Sequence, residues 1–577
     1  MEQTKPVWGI MAAAILAVAG AGVVGGYLKA RAPALPQVAT RPPVVLDQGW
    51  SPELREAFYF TPQGSRLLPL AFLKAVEQPE GEGLFLDPQY IARFGFLPAD
   101  GPSPLNPDGL PIGFAADPRR DGPFGADFGL TCAACHTGEI RAGSARIRID
   151  GGAALADYQT FMTRLTTAFA RTLVDPTRFA RFSERVGGDP ATVRTELQAT
   201  VSRLQKLETA AKTAVPYGRG RLDAFGHILN AVAADALGEP ANLGSPDAPV
   251  SYPFLWTTPA QRFVQWNGVA GNPIGRNLGE VLGVFGRTDL AGGRPDAFAS
   301  AALIENLRLL EDWAAILKPP PWPERQLGAV DRAKAAEGEV LFKANCAGCH
   351  GGPDYRLTDA AETEGGRQWL AVTMVPQSVV GTDPRMLDNF RSRIARSGPL
   401  APLFGGAPQV PAGGILLATV SNVVENDLRA RNITGDARKA YSGWRFAPGA
   451  QKPLAGWSGT PAYKAGPLAG VWATGPFLHN GSVPTVYDLL SPQEERPARF
   501  HVGSSRYDAA KLGFISDPAA LPEAERDALT VFDTTLPGNS NAGHAFPGPG
   551  AQALSPDQRR AVIEYLKILE GPDVRVR

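Results

Sequence analysis

Every cysteine of this 577-residue chain lies in one of two short C-x-x-C-H stretches, and this distribution constrains the fold more than any other feature. The first stretch, CAACH, covers residues 132–136, and the second, CAGCH, covers residues 346–350. A C-x-x-C pair alone is compatible with a redox disulfide, with half of a zinc site or with covalent attachment of a c-type haem. The histidine that follows both pairs favours haem attachment, because the thiols bond to the haem and the adjacent imidazole binds its iron.

The two alternatives account for the motifs less well. A zinc site built from both pairs would use four thiolates and leave both histidines without a role. A redox dithiol needs no histidine after its second cysteine. We therefore predict two covalently bound haem c groups, each with an iron. The predicted attachment residues and proximal iron ligands are Cys132, Cys135, His136, Cys346, Cys349 and His350.

The composition is that of a globular protein with several structural units. The length predicts about three to four units of ordinary size. Hydrophobic residues make up 44% of the chain, which is ample for packed cores, and the formal net charge of zero gives no indication of a nucleic-acid partner. The 64 glycines and 53 prolines predict long, irregular loops between the helices.

The N-terminus contains an apolar run at residues 7–28 that has no charged residue. As a helix it would be about 33 Å long, enough to cross the hydrocarbon core of a bilayer. The alternative is a signal peptide cleaved after residues 30–32, but Pro33 follows directly and fits cleavage poorly. We therefore expect residues 1–32 to be a membrane anchor or signal, with the remainder on the periplasmic side of the bacterial inner membrane, where haem attachment takes place.

A proline-rich run at residues 318–323 divides the remaining chain, because no helix or central strand crosses such a run. We predict an N-terminal haem c domain with an active-site pocket at residues 33–318, with helices at 156–175 and 190–213. A C-terminal cytochrome c domain is expected at residues 319–577. The predicted fold class is mainly α with long irregular loops: two cytochrome-c-like haem domains, the N-terminal one enlarged, after an N-terminal transmembrane helix.

The C-terminal domain has the outline of a small cytochrome c. The stretch Asp331–Phe342 is predicted to be helical and leads directly into the second C-x-x-C-H motif. A closing helix is expected after Ser555, which is a suitable N-cap, with Pro556 in the first helical position.

The two motifs with their flanks, and three further stretches, resemble the bacterial di-haem cytochrome c peroxidase superfamily and most closely its rubber-oxygenase branch. The resemblance covers residues 45–575. The stretches that carry it are LTCAACHTGEIRAGSARIRIDGG, QWNGVAGNPIGRNLGEVLGVF, NCAGCHGG, LAGVWATGPFLHNGSVPTVYDLL and GNSNAGHAF.

The resemblance implies a role for each haem. The haem at residues 132–136 would be catalytic, and the haem at residues 346–350 would relay electrons. Trp266 takes the place of a tryptophan between the two haems, although Trp256 is an equally aromatic neighbour. Glu280 is a candidate general base. The residues that the resemblance places along the distal pocket of the N-terminal haem are Arg276, Asn277 and Glu280.

One departure from the peroxidase pattern concerns the sixth ligand of the C-terminal haem. Peroxidases of this superfamily supply a methionine shortly after the position of His479, and none follows it here. Rubber-oxygenase-like members use a histidine near the C-terminus, so the resemblance implies His544 as the ligand, with His479 as the alternative. A histidine in place of methionine lowers the haem potential. We expect His227 to be a core histidine on a helix and His501 to be a loop residue.

These observations predict a periplasmic di-haem oxidoreductase that uses peroxide or dioxygen at the N-terminal haem and transfers electrons through the C-terminal haem. Peroxidase and dioxygenase activities both remain open, and the electron donor would be a small redox protein or a quinol chain. The alternative is a membrane-tethered di-haem electron carrier without an organic substrate. The size of residues 33–318 favours an enzyme, because a carrier domain needs only about 100 residues.

Overall fold

A computed structural model describes residues 42–118, 122–271, 273–290, 297–443, 447, 460–545 and 553–573. The helical content is 43%, with 14% strand. The prediction of a mainly α fold is therefore wrong in one respect: the described part of the chain also contains sixteen short strands, which form seven small sheets. Short strands escape prediction from sequence because a pair of two-residue strands has no periodic pattern of its own.

The helices range from single turns to α6, the longest at 21 residues. In chain order they are α1 Pro52–Phe60, α2 Leu70–Ala75, α3 Pro88–Ala92, α4 Tyr158–Val174, α5 Pro176–Val186, α6 Pro190–Ala210, α7 Ala224–Leu229, α8 Pro273–Gly283, α9 Ile304–Ala315, α10 Glu324–Leu327, α11 Arg332–Asn345, α12 Ala347–His350, α13 Gln377–Val380, α14 Arg385–Ser392, α15 Ala412–Ala430, α16 Lys439–Ser442, α17 Val486–Leu489, α18 Glu523–Arg526 and α19 Pro556–Ile568.

The strands pair mostly as antiparallel ladders of two or three strands. They are β1 Val44–Val45, β2 Leu68–Pro69, β3 Phe114–Asp117, β4 Asp127–Leu130, β5 Thr137–Ala142, β6 Ala145–Asp150, β7 Arg221–Leu222, β8 Val250–Ser251, β9 Thr373–Pro376, β10 Ile394–Arg396, β11 Gln409–Pro411, β12 Ala462–Ala465, β13 Arg499–Val502, β14 Tyr507–Asp508, β15 Gly513–Phe514 and β16 Thr530–Asp533. The two three-stranded sheets have the orders β1-β6-β5 and β2-β4-β3, and β1 pairs with β6 in parallel.

The helices predicted at 156–175 and 190–213 are present as α4 and α6. Both begin at an aspartate whose carboxylate accepts a hydrogen bond from a backbone N–H of the first turn, Asp157 for α4 and Asp189 for α6. Such N-caps satisfy backbone donors that have no partner within the helix. Because this signal is local, it can be recognised from the sequence.

The helices at the two ends of the C-terminal region pack directly on each other. In α11, Gly338 lies so close to α19 that a Cβ atom at this position would be 1.9 Å from the Ala561 carbonyl oxygen. The start of α19 is fixed by the predicted N-cap, since the Ser555 hydroxyl and the Gln558 side chain each accept from the other residue's backbone N–H. This crossing brings the second C-x-x-C-H motif, at the end of α11, against the end of the chain.

Two large hydrophobic clusters form most of the core of the described residues, and two smaller clusters lie beside them. One lies within the N-terminal region and is dominated by aromatic residues around α4, including Phe114 and Phe161. The other cluster contains residues from both sides of the proline-rich run, for example Leu278 and Trp472. The first motif joins the two clusters, because Ala133 belongs to the second cluster and Ala134 to the first.

The predicted membrane anchor is corrected. In the ranges given above, no helix is both long enough and apolar enough to cross a bilayer. The transmembrane helix predicted at residues 7–28 lies outside the described residues. The structure therefore does not support the N-terminal anchor, nor the location on the inner membrane that was inferred from it.

The close crossing of α11 and α19 predicts that Gly338→Ala destabilises the protein. The added methyl group has no space, and such overpacking costs about 1–3 kcal/mol of the free energy of unfolding. Denaturant unfolding of the holoprotein measures the effect. Ala336→Val on the exposed face of the same helix is the control, with an expected cost of roughly 0.5 kcal/mol from helix propensity alone. Equal effects of the two substitutions would contradict the tight crossing.

Candidate functional site

The first C-x-x-C-H motif forms a tight turn between β4 and β5. Thr131 caps a single 3-10 turn at Cys132–Ala134, and the backbone N–H of His136 donates to the Cys132 carbonyl oxygen at 3.0 Å. This turn places both thiols and the imidazole on one short segment, as attachment of a c-type haem requires.

The imidazole of His136 is oriented by a backbone carbonyl. Its Nδ1–H donates to the Pro253 carbonyl oxygen at 2.7 Å, so Nε2 is the nitrogen that remains for a metal. Burial lowers the pKa of His136 to about 4, which keeps the ring neutral at physiological pH. A neutral imidazole held through its other nitrogen fits the role of a proximal haem ligand.

Two carboxylates lie beside the first thiol. Burial raises the pKa of Cys132, and the nearby charges of Glu280 and Glu311 raise it further. The Cys132 thiol also donates to the Gln63 side-chain oxygen at 3.2 Å. Glu280, one of the predicted pocket residues, is thus close enough to the first motif for its charge to act on the Cys132 thiol.

The predicted pocket residues belong to a polar network on α8 and α9. Arg276 pairs with Glu311, and the Asn277 amide donates to the same carboxylate at 3.1 Å. Glu280 is one turn further along α8 and accepts from the Gln265 amide at 2.8 Å. Burial raises the pKa of Glu280, while Arg276 and Gln265 partly oppose this shift. The network therefore contains one carboxylate that is paired with arginine and another that can exchange a proton.

The second motif lies where α11 ends and α12 begins. The His350 Nδ1–H donates to the Gly466 carbonyl oxygen at 2.8 Å, the same arrangement that His136 has with Pro253. Burial lowers the pKa of His350. Cys349 is exposed, whereas Cys346 is partly buried against the core.

His544 lies beside His350, with the two ring centroids 6.1 Å apart. Two imidazoles on opposite sides of one metal ion, with metal–nitrogen bonds of about 2.0–2.1 Å, place their ring centroids roughly 6 Å apart. The His544 segment is held by a hydrogen bond from its N–H to Val380 and by Arg496, which donates to the His544 carbonyl oxygen. Burial lowers the pKa of His544 to about 3. The pair thus fits a haem with two neutral histidine ligands.

The other histidines occupy different surroundings. His479 is buried and stacks on Tyr463 with ring centroids 4.2 Å apart. His227 is on α7 and lies between two tyrosine rings. His501, expected in a loop, instead lies in β13.

A chain of hydrogen bonds leads from His136 to Trp266. The carbonyl that holds His136 belongs to Pro253, and Ser251 is two residues earlier in the chain. The Ser251 carbonyl oxygen accepts a hydrogen bond from the indole Nε1–H of Trp266 at 3.2 Å. The alternative tryptophan, Trp256, is fully buried and donates instead to Ala469.

The same chain continues from Trp266 to the second motif. The Trp266 carbonyl oxygen accepts from the backbone N–H of Lys464 at 2.8 Å. Gly466, two residues later, supplies the carbonyl that holds His350. Trp266 therefore lies on a continuous path of short peptide segments and hydrogen bonds between His136 and His350.

The sequence did not identify three residues of this site. Gln265 orients Glu280 from a backbone with φ of 65°, Glu311 pairs with Arg276, and Lys464 donates to the Gln261 side chain at 2.6 Å. Burial lowers the pKa of Lys464 to about 7, with a contribution from Arg276. Gln265 directly precedes Trp266, which is the one signal that could have identified it.

The geometry does not support the zinc alternative. Within the described ranges, no group of three or more His, Cys, Asp or Glu side chains is arranged to hold a metal ion. None of the four cysteines forms a disulfide, so the redox-disulfide alternative has no support in the structure either.

Comparison with known proteins is consistent with these haem motifs. A family model described as RoxA-like, cytochrome c-like matches residues 462–501, the stretch that includes Lys464, Gly466 and His479. The chain is 34% identical over 581 residues to the uncharacterized protein y4iJ of Sinorhizobium fredii, covering 91% of this chain and 93% of the relative. It is 27% identical over 348 residues to the uncharacterized protein y4iM of the same organism, covering 57% and 65%.

The chain belongs to the same protein family as y4iJ, and its residues 462–501 are RoxA-like, cytochrome c-like. A cytochrome c-like domain of this kind binds haem c and indicates a haem-based oxidoreductase. The prediction of two cytochrome-c-like domains is wrong as a statement of fold class, because only one small cytochrome c-like segment is matched. That segment contains neither C-x-x-C-H motif and instead supplies the carbonyl that holds His350.

Proposed function

We propose that this protein is a di-haem oxidoreductase of the cytochrome c peroxidase superfamily that reacts with peroxide or dioxygen at the haem of residues 132–136. The observation that carries the proposal is the difference between the two motifs. An acid–base network lies beside Cys132, whereas a second histidine, His544, lies beside His350. The first arrangement suits reaction with a small oxidant, and the second suits electron transfer without substrate binding.

Glu280 is the proton acceptor in this proposal. A bound haem c would supply the redox chemistry of iron, and the side chains supply the protons. With a haem bound, the Glu280 carboxylate would take a proton from one oxygen of hydrogen peroxide and return it to the other oxygen. That oxygen would leave as water when the O–O bond breaks with two electrons supplied by the haem. Gln265 holds this carboxylate in place, and Arg276 keeps positive charge beside it while remaining paired with Glu311.

Trp266 provides the connection between the two haems in this proposal. Its indole and its backbone both lie on the hydrogen-bonded path between His136 and His350. An aromatic ring on such a path offers an intermediate site for an electron. A small redox protein or a quinol-chain donor would deliver electrons near Cys349, which is exposed at the surface.

Two covalent haems per chain are the first expected outcome. Haem should remain with the denatured protein through acid–acetone extraction, at two irons per chain. The double variant Cys132→Ala/Cys135→Ala should retain one. In the wild-type protein, EPR and visible spectra should change at one haem when peroxide or dioxygen is added. Two low-spin haems whose spectra do not change with peroxide or dioxygen would indicate an electron carrier instead.

The role of Glu280 as proton acceptor predicts that the rate of the reaction with peroxide depends on pH. Because burial raises its pKa, the rate of the peroxide-induced spectral change should rise with pH through a value above that of a free glutamate. Gln265→Leu removes a hydrogen bond that stabilises the carboxylate, so in this variant the rate should rise at a higher pH than in the wild type. Glu280→Gln should slow the reaction by about 10²–10⁴-fold, the usual contribution of a general base. Glu324→Gln, at an exposed position, is the control. An unchanged pH dependence in Gln265→Leu would contradict the assignment of Glu280 as the proton acceptor.

His544 is expected to be the sixth ligand of the C-terminal haem. His544→Ala should therefore convert one low-spin haem to high-spin in the EPR spectrum, because one axial nitrogen is lost. His479→Ala is the control, since His479 is a buried imidazole that stacks on Tyr463. A spin change in His479→Ala and none in His544→Ala would reverse the assignment.

A further inference from the structure

Three ring side chains extend from the first motif in a direction that the proposed function does not use. Tyr158 belongs to the buried N-terminal core against which Cys135 packs. Burial raises the pKa of its phenol, with a smaller contribution from the Cys135 thiol. The Tyr158 ring meets His227 edge to face, with centroids 5.8 Å apart. His227 in turn meets Tyr217 with centroids 6.0 Å apart. These distances are within the range of ordinary aromatic contact.

The phenol of Tyr217 has a base next to it. Its oxygen is 3.3 Å from His227 Nε2, and its hydroxyl donates to the Pro246 carbonyl oxygen at 2.7 Å. A neutral imidazole has one nitrogen that accepts a proton. Burial lowers the pKa of His227 to about 4, so the ring is neutral and able to accept.

Tyr217 lies beneath a surface groove. Pro246, which accepts its hydrogen bond, is flanked in the chain by two residues that line a groove of about 360 Å³. The groove is polar, and the Arg385–Asp247 ion pair crosses it. The line of rings therefore runs from the thiol that would hold the N-terminal haem to a position just under the surface.

We propose that Tyr158, His227 and Tyr217 form a relay that carries oxidising equivalents from the N-terminal haem to this groove. The relay rests on the proposed function, because peroxide is the oxidant that produces the equivalent. One electron leaves the Tyr217 phenol and passes through the His227 and Tyr158 rings to the oxidised haem, which is reduced by one electron. At rest the Tyr217 hydroxyl donates to Pro246, so it first turns towards His227. As the phenol loses its electron, the O–H bond breaks and an N–H bond forms at His227 Nε2.

The products are a neutral tyrosyl radical and an imidazolium ion. A one-electron reductant in the groove, of the phenol or ascorbate class, restores the tyrosine, and the proton returns from His227. The relay gives the protein a second outlet for oxidising equivalents besides Trp266. It would act when no substrate or donor is available.

Freeze-quench EPR of the holoprotein tests the relay. Protein that contains ring-deuterated tyrosine identifies a tyrosyl radical, because deuteration narrows its signal and leaves a tryptophan radical unchanged. One arm oxidises the protein with hydrogen peroxide. A second arm uses photogenerated tris(bipyridine)ruthenium(III), which oxidises the haem without peroxide.

In both arms the wild-type protein should show a tyrosyl signal that Tyr217→Phe abolishes. His227→Gln should also abolish it although Tyr217 is still present, because the proton acceptor is gone; a purely structural histidine would not have this effect. Tyr90→Phe is the matched control, since Tyr90 is equally buried but bonded to Arg164, and its signal should match the wild type.

The outcomes distinguish the relay from the proposed function. A peroxide-dependent haem change with a tyrosyl signal that survives Tyr217→Phe, or with none at all, would overturn the relay and leave the function intact. A haem spectrum unaffected by peroxide would count against the function, while the photochemical arm would still decide the relay. Peptide mass spectrometry after repeated peroxide exposure should find oxidised Tyr217 in the wild type and more haem loss in Tyr217→Phe.

Discussion

The hydrogen bonds from His136 and His350 to backbone carbonyls are the constraint on which the arrangement of the site depends. Each bond fixes the orientation of an imidazole and selects the nitrogen that faces a metal. Both carbonyls belong to segments that meet at Trp266. The positions of the two motifs, which are more than 200 residues apart in the chain, are therefore coupled through a few short segments. A shift of residues 251–253 or 464–466 would reorient a proximal histidine.

Much of the site follows from local sequence signals, and the rest depends on contacts that leave no such signal. The C-x-x-C-H motifs, the helices α4 and α6 and the Ser555 N-cap of α19 are each encoded within a short stretch, and the sequence predicts them. Lys464 contacts Trp266 through a backbone hydrogen bond between residues 198 positions apart, so the sequence around either residue gives no signal of the contact. The same reason explains the unpredicted pairing of β9 with β12, which are distant in the chain.

The fold class illustrates a second limit. Two similar motifs predict two similar domains, yet one core cluster contains residues from both sides of residues 318–323. Trp472 lies after this run and donates its indole N–H to the Pro320 carbonyl within it. A motif identifies the chemistry at one turn of the chain, whereas the domain around it is determined by which apolar surfaces pack together. Those surfaces are shared here, so the motif count is a poor guide to the number of domains.

The charges of the polar network explain why Glu280 rather than Glu311 suits proton transfer. Glu311 is paired with Arg276 and bonded to Asn277, and protonation would leave the buried guanidinium without its counter-charge. Glu280 has a neutral hydrogen-bond partner, Gln265, so it can gain a proton without leaving an unpaired charge.

Trp266 and Tyr217, the two residues proposed to give electrons to the N-terminal haem, also differ in what can accept their proton. The Trp266 indole and the Tyr217 phenol both donate to backbone carbonyls, which are too weak as bases to take a proton. The Tyr217 oxygen, however, also lies 3.3 Å from the neutral imidazole of His227. Loss of an electron at Trp266 therefore leaves a positively charged radical, which an electron from the second haem quickly reduces. Loss of an electron at Tyr217 moves a proton as well, and the low pKa of His227 makes that proton costly to hold. Electron transfer through Trp266 should thus precede oxidation of Tyr217. The tyrosine relay would then carry only those oxidising equivalents that electrons from the second haem have not already reduced.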